Sequence, residues 1–310
     1  MHSQPSRLFL TLAILGGILA VSTSSIFIRF AQQDAPSLVI AAYRLTLASL
    51  ILAPLALTKY RAELRTLTRL EVGLGLLSGF FLALHFATWI SSLEYTSVAS
   101  SVVLVTTTPL WVALLSPLLL REISGKTVVI GMVLALAGGV VVGLADACTW
   151  QAGLVCPPLA TFVRGTAFFG DFLALCGAWA AAGYVLIGRR LRAKMSLIPY
   201  IFVVYGMAAV VLLMILGISR EPVFGYLPVT YLWLLLLALV PQLLGHSTFN
   251  WALRYLPASL VSITLLGEPI GSTILAYLIL KEAPTPLKII GAVLILAGIY
   301  IASANDDKRQ

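Results

Sequence analysis

Ile130–Gly138 reads IGMVLALAG, and Ile290–Gly298 reads IGAVLILAG. The strings lie 160 residues apart, 290 less 130, and the same shift aligns much of the chain without a gap. Leu118–Glu122 (LLLRE) falls on Leu278–Glu282 (LILKE), Tyr95 on Tyr255, and Pro109 on Pro269. Unrelated apolar segments share Leu and Val by chance. They do not so readily share Pro, Glu and spaced Gly in register, so the chain carries an internal duplication.

Outward from these strings, the charges cluster and leave apolar stretches between them. The chain is 60% hydrophobic and 10% charged over 310 residues, whereas soluble domains are about 25% charged. Each stretch is long enough to cross a hydrocarbon core of about 30 Å as a helix. Helices satisfy their own backbone in lipid. A lipid-facing barrel would alternate polar and apolar residues, which Val129–Leu144 and Tyr231–Val240 do not. Spans are predicted at 8–30, 37–58, 72–93, 97–120, 127–146, 169–188, 197–218, 229–253, 257–280 and 286–304. The first has signal-peptide character, with Arg7, an apolar core and then small residues, but the duplication requires it as a helix.

Five spans per copy is an odd number, so the second copy runs opposite to the first. The expected fold class is all-α integral membrane, with about ten transmembrane helices as two inverted-topology five-helix repeats. The repeats are 8–146 and 169–304, joined by an outside loop at 147–168. Such architectures are common in secondary transporters, with the substrate near the midplane. Lys59, Arg61, Arg65, Arg69, Arg121, Lys126, Arg189, Arg190, Arg192, Lys194, Arg254, Lys308 and Arg309 fall on one side. The positive-inside rule makes that side, and both termini, cytoplasmic. The net charge of +8 is thereby explained without nucleic acid.

Polar residues at membrane depth mark candidate sites. Gln242, His246 and Asn250 recur every four residues on one face of the eighth span. Ser78, His85, Trp89 and Ser92 also lie near one face of the third. Ser101, Thr108 and Trp111 follow on the fourth, and Thr264, Glu268 and Ser272 on the ninth. Glu268 is the acid placed near mid-span, and it precedes Pro269. A proline deprives the carbonyl four residues earlier of its donor. This affects Leu265 for Pro269, Val105 for Pro109 and Leu237 for Pro241. Glu268 then either serves transport or braces the kink. Arg44 in the second span needs a partner or a route to an interface. Trp89, Trp111, Trp179 and Tyr184 can stack on a ring or simply pack. Gly139 and Gly143 have the spacing of close helix contact.

GDFLALCGAWAAAGYVLIGRRL at 170–191, TTTPLW at 106–111, LLREISG at 119–125 and GEPIGSTILAYLILKE at 267–282 resemble the EamA family. That family of ten-helix carriers belongs to the drug/metabolite transporter superfamily. The resemblance covers nearly the whole chain. It implies export of small metabolites, amino acids among them. Members often carry Trp-Gly in the first helix, where this chain has Val21-Ser22-Thr23-Ser24.

The expected function is a secondary transporter exporting small metabolites such as amino acids by alternating access, with protons as candidate coupling ion. The expected substrate-binding set is His85, Trp89, Thr108, Trp111, Tyr184, Gln242, His246, Asn250, Thr264 and Glu268. No cofactor or metal is expected, and the expected partners are a small-molecule substrate and the lipid bilayer, with the monomer as candidate unit. The expected location is the cell inner membrane. No GxxxxGKS motif provides for ATP. A competing reading is an intramembrane enzyme with a metal held by His85, His246 and Glu268; another is a small-molecule receptor. Cys148 and Cys156 share the outside loop, where an oxidising space would let them bridge or leave two free thiols.

Overall fold

The computed structural model describes residues 5–120, 126–147, 149–150, 154–155, 164–256, 261, 264–265 and 267–304. Cys148 and Cys156 lie outside the described residues, as does Glu122.

The first span is Arg7–Ser22 and Ser24–Ala31, interrupted at Thr23; the second is Ser37–Thr58. The third is Arg69–Tyr95, and the fourth is Val98–Val105 and Thr108–Leu120 around a turn at Thr106 and Thr107. The fifth is Lys126–Ala147, the sixth Thr166–Arg192 and the seventh Leu197–Ser219. The eighth runs through Pro228–Leu237, a π-helical stretch Ala238–His246, and Ser247–Ala252. The ninth contains Gly267–Leu275 and a π-helical turn Ala276–Leu280, and the tenth is Pro286–Ala304. Between the repeats, Thr149–Trp150 pairs antiparallel with Leu154–Val155. The chain is thus an all-α multi-pass membrane protein. Among the described residues, seven helices are long and apolar enough to cross a membrane, with shorter apolar helices at 129–142, 267–280 and 286–298.

Local chemistry sets these boundaries. Thr68 and Glu71 form a reciprocal capping box that starts the third span. The hydroxyls of Ser6 and Ser97 cap the first and fourth. Pro228 opens the eighth from the first helical position, where its missing N–H costs nothing. Pro241 lies inside the π-helical stretch.

The burial pattern is that of a chain solvated by lipid. Leu8, Leu12, Leu15, Leu19, Leu50, Val133, Val140, Met214 and Ile218 are exposed. Ser24, Ser25, Arg44, Ser78, His85, Ser92, Ser101, Gln242, Asn250 and Glu268 are buried. Large apolar side chains satisfy hydrocarbon, while polar groups must find partners inside the bundle.

Packing between spans follows the duplication. The third span packs along the sixth, and the eighth, its repeat mate, packs along the first. The fourth packs on the sixth, and the ninth on the first. The second and seventh face one another, as do the fifth and tenth. These last two pairs sit across the pseudo-twofold axis. Glycine makes the fifth–tenth contact possible. A Cβ on Gly138 would lie 2.7 Å from the Gly291 carbonyl oxygen, and one on Gly298 would lie 2.5 Å from that of Gly131. Gly138 and Gly298 are repeat equivalents, as are Gly131 and Gly291, so the contact is made twice. The close approach belongs to Gly138, not Gly139, whose Cβ would meet only Leu104 at 3.7 Å.

Candidate functional site

A cavity lies between the third, fourth, sixth, eighth and ninth spans. His85, Trp89, Thr108, Tyr184, His246, Asn250 and Glu268 line it, with Thr106, Pro109, Ala181, Phe249, Leu253, Val261 and Leu265. About 80 Å³ is open to the centres of water-sized molecules, room for several waters. It runs from Trp89 and Glu268 to Leu253 and Val261, where the eighth span finishes and the ninth begins. Mostly apolar walls with a few convergent polar groups are typical of small-molecule sites.

Broken backbone positions two of its polar groups. Thr108-Pro109 and Glu268-Pro269 occupy equivalent places in the two repeats, each just past an interruption. The Val105 carbonyl, bereft of its donor by Pro109, accepts the Thr108 hydroxyl at 2.9 Å. The Leu265 carbonyl, bereft by Pro269, accepts the Glu268 N–H at 3.0 Å. The helix Gly267–Leu275 then begins with Glu268 in its first turn, where the helix dipole favours a carboxylate. One repeat therefore contributes a hydroxyl and the other a carboxyl at the same depth.

His85 Nδ1 is 3.0 Å from the Gly177 carbonyl. A carbonyl only accepts, so Nδ1 carries the proton, and Nε2 of the neutral ring is an acceptor. The ring stacks on Trp89 at 5.8 Å and meets His246 at 6.4 Å between centroids. Below them, Tyr184 donates to Asn250 Oδ1 at 2.7 Å. Asn250 Nδ2 donates to the His246 carbonyl at 2.9 Å and the Tyr205 hydroxyl at 3.3 Å. Arg192 Nε donates to the Asn250 carbonyl at 3.0 Å.

Three members of the expected set stand off the cavity. Gln242 accepts from Arg44 Nε at 2.8 Å. Trp111 donates to Thr107 at 3.1 Å and meets Trp179 edge to face at 5.3 Å. The Thr264 hydroxyl donates to the Val261 carbonyl at 2.6 Å. The stripe at 242, 246 and 250 is thus divided: Gln242 bonds Arg44 of the second span, while His246 and Asn250 line the cavity. Arg44, Ser24 and Phe86 form a polar centre that span-by-span reading did not assemble. Its one signal was a charge in mid-span. His85, His246 and Glu268 line one cavity. Among the described residues, however, no three His, Cys, Asp or Glu side chains gather closely enough to hold a metal ion.

At the opposite end, polar contacts join the spans. Arg29 pairs with Glu282 at 3.3 Å and donates to the Thr96 carbonyl at 2.9 Å. Glu282 also accepts from the Val98 N–H at 3.0 Å. Thr96 donates to Asp171 at 2.9 Å, and Lys288 to Ser97 at 2.9 Å. These contacts tie the first, fourth, sixth, ninth and tenth spans together.

Inverted five-helix repeats around a mid-bundle cavity define a membrane transport protein. The model of the EamA-like transporter family matches residues 8–144 and 168–304, and the chain belongs to that family. Two proteins of Archaeoglobus fulgidus, each described as an uncharacterized transporter, are similar along nearly their full length. One is 24% identical, covering 91% of this chain and 93% of the relative. The other is 26% identical, covering 94% of each. A crystal structure of a protein 21% identical in sequence has the same fold, with a TM-score of 0.66 over 98% of this chain and 100% of that one.

Proposed function

We propose that this transporter is a secondary carrier that exports small metabolites such as amino acids across the cytoplasmic membrane, in exchange for protons. The observation that carries the reading is the cavity itself. It holds the carboxyl of Glu268, two imidazoles and the Tyr184–Asn250 pair within largely apolar walls. The carboxyl can meet a substrate ammonium or a proton, but not both at once. That exclusivity couples two fluxes. Trp89 and Phe249 supply apolar surface for a side chain.

A cavity extending toward one end, with the other end held by Arg29–Glu282 and its neighbours, suits one of the two states of alternating access. The Lys and Arg bias supports a cytoplasmic cavity end and cytoplasmic termini. Substrate would then load from inside, the direction of export.

The test is flux. Purified protein in liposomes is loaded with radiolabelled amino acids and related metabolites, with and without an imposed proton gradient. Gradient-driven efflux is the expected result. Absence of flux for the whole panel, or flux indifferent to the gradient, would overturn the export or coupling reading respectively.

A further inference from the structure

We propose that Arg44, Gln242 and Trp89 form a subsite for a small organic anion, a carboxylate, behind the closed end of the cavity. The proposal rests on the carrier reading and deepens it by naming the substrate class.

Arg44 sits in the middle of the second span and is completely buried. Its Nε donates to Gln242 Oε1 at 2.8 Å, and Nη1 to Ser24 Oγ at 2.7 Å. Its Cζ stands 4.2 Å from the Phe86 ring centre and 6.0 Å from that of Trp89. These partners are neutral. Glu268 is the carboxylate whose charge acts on Arg44, and it does so from beyond ion-pair distance. Arg192, also deeply buried, differs. It gives its donors to the carbonyls of Asn250 and Met195 at a helix C-terminus, where the dipole favours a cation. Arg44 has no such compensation, and a buried charge without a counter-ion is costly.

The orphaned atoms indicate what is missing. Among the described residues, Arg44 Nη2, Gln242 Nε2 and Trp89 Nε1 are buried with no hydrogen-bond partner within 3.5 Å, the Gln242 amide lying nearest the Tyr205 hydroxyl. The Gln242 amide is oriented by chemistry. Arg44 Nε can only donate, so the oxygen must face it and the NH2 is left over. All three orphans are donors. Around one buried cation there is a surplus of N–H and a deficit of acceptors, so the complement is an anion with several lone pairs. A carboxylate supplies both the charge and the forked acceptor geometry that a guanidinium takes up.

Access follows from the backbone. Ser24 directly follows the break at Thr23, and Gln242 lies in the π-helical stretch. Both neutral partners of Arg44 therefore ride on interrupted helices, the places where spans bend. Trp89 belongs to the cavity wall as well as to the Arg44 cluster. A substrate with its ammonium toward Glu268 would put its carboxylate on the Arg44 side.

The experiment measures anion binding to purified protein by thermal shift and tryptophan fluorescence. The probes are sodium benzoate, L-phenylalanine and L-phenylalaninamide, with sodium chloride at equal ionic strength as reference. Saturable protection by benzoate and L-phenylalanine, absent with the amide, is expected. Trp89→Phe keeps a ring and removes one donor, and should weaken carboxylate binding roughly fivefold. Arg44→Lys keeps the charge and loses the fork, and should weaken it by about tenfold or more. Failure of both carboxylates to bind, equal binding of the amide, or protection by chloride alone overturns the proposal. So does unchanged affinity in both variants as monodisperse proteins. The carrier reading is separable. Arg44-dependent benzoate binding with no amino acid efflux upholds the subsite and removes the export reading. Amino acid efflux untouched by Arg44→Lys does the reverse.

Discussion

At the scale of single residues, Glu268 is where the structure concentrates chemistry. A charged carboxylate at membrane depth costs about 3 kcal/mol even on lenient scales, and among the described residues no ion pair to Glu268 offsets that cost. Glu268→Gln keeps the shape and removes the charge. Gradient-driven flux should fall by at least about tenfold, the scale of a lost proton-transfer step, with monodispersity unchanged. A Gln variant that is merely less thermostable and transports normally would reduce Glu268 to a brace. His246→Ala should weaken substrate binding more than folding, read as a raised half-saturation concentration in flux. Outside the spans, Glu221 offers a pH test of stability. Burial, and then the charge of Glu94, raise its carboxyl above the usual range, and among the described residues its Oε2 has no hydrogen-bond partner. A raised acid favours the folded state while protonated. Its contribution is complete below the ordinary glutamate range and is lost as pH rises through the folded value. Glu221→Gln should therefore flatten this part of the melting-temperature profile against pH, raising stability at neutral pH more than in acid. An unchanged profile would count against it.

At the scale of elements, the fifth and tenth spans are joined backbone to backbone. A side chain at Gly138 meets the Gly291 carbonyl and the main chain of Ile295 at 2.8 Å. Rigid main chain cannot yield as a side-chain tip can. Gly138→Val should cost about 2 kcal/mol, visible as a lower melting temperature in detergent. Gly206→Ala is the control. Nothing lies within 4 Å of an added methyl there, and Gly to Ala in a helix gains about 0.5–1 kcal/mol. Equal effects at both sites would argue against the glycine seam. The proline-containing spans follow the same local logic. Each displaced carbonyl at Val105 and Leu265 is taken up by the group just before the proline, so both breaks are satisfied rather than merely tolerated.

For the whole molecule, orientation decides direction. The Lys59–Arg69 loop and the cavity residues Leu253 and Val261 lie toward one end of the bundle, and the 220–227 loop lies at the other. In a cysteine-free background, an impermeant thiol reagent applied to intact cells should label Phe224→Cys and spare Thr68→Cys. Thr68 sits at the start of the third span, and Phe224 is 76% exposed. The reverse pattern would turn the carrier around and make the cavity face outward. On the proposed carrier reading, the second state would arise by exchange of roles between the near-equivalent halves.

Composition alone called for a multi-pass bundle, since chain-long apolar character has no other low-energy form in lipid. The 160-residue register made it two inverted repeats, because an odd helix count forces the inversion. His85, Trp89, Thr108, Tyr184, His246, Asn250 and Glu268 were legible one span at a time, as polar groups too costly to leave in hydrocarbon. What they share was not. Periodicity assigns a face to a helix, but it does not say which helices meet each turn of that face. Gln242 was therefore grouped with His246 although it serves Arg44. The Arg44 cluster draws on the first, second, third and eighth spans, and only their packing brings Ser24, Phe86, Trp89 and Gln242 around one guanidinium.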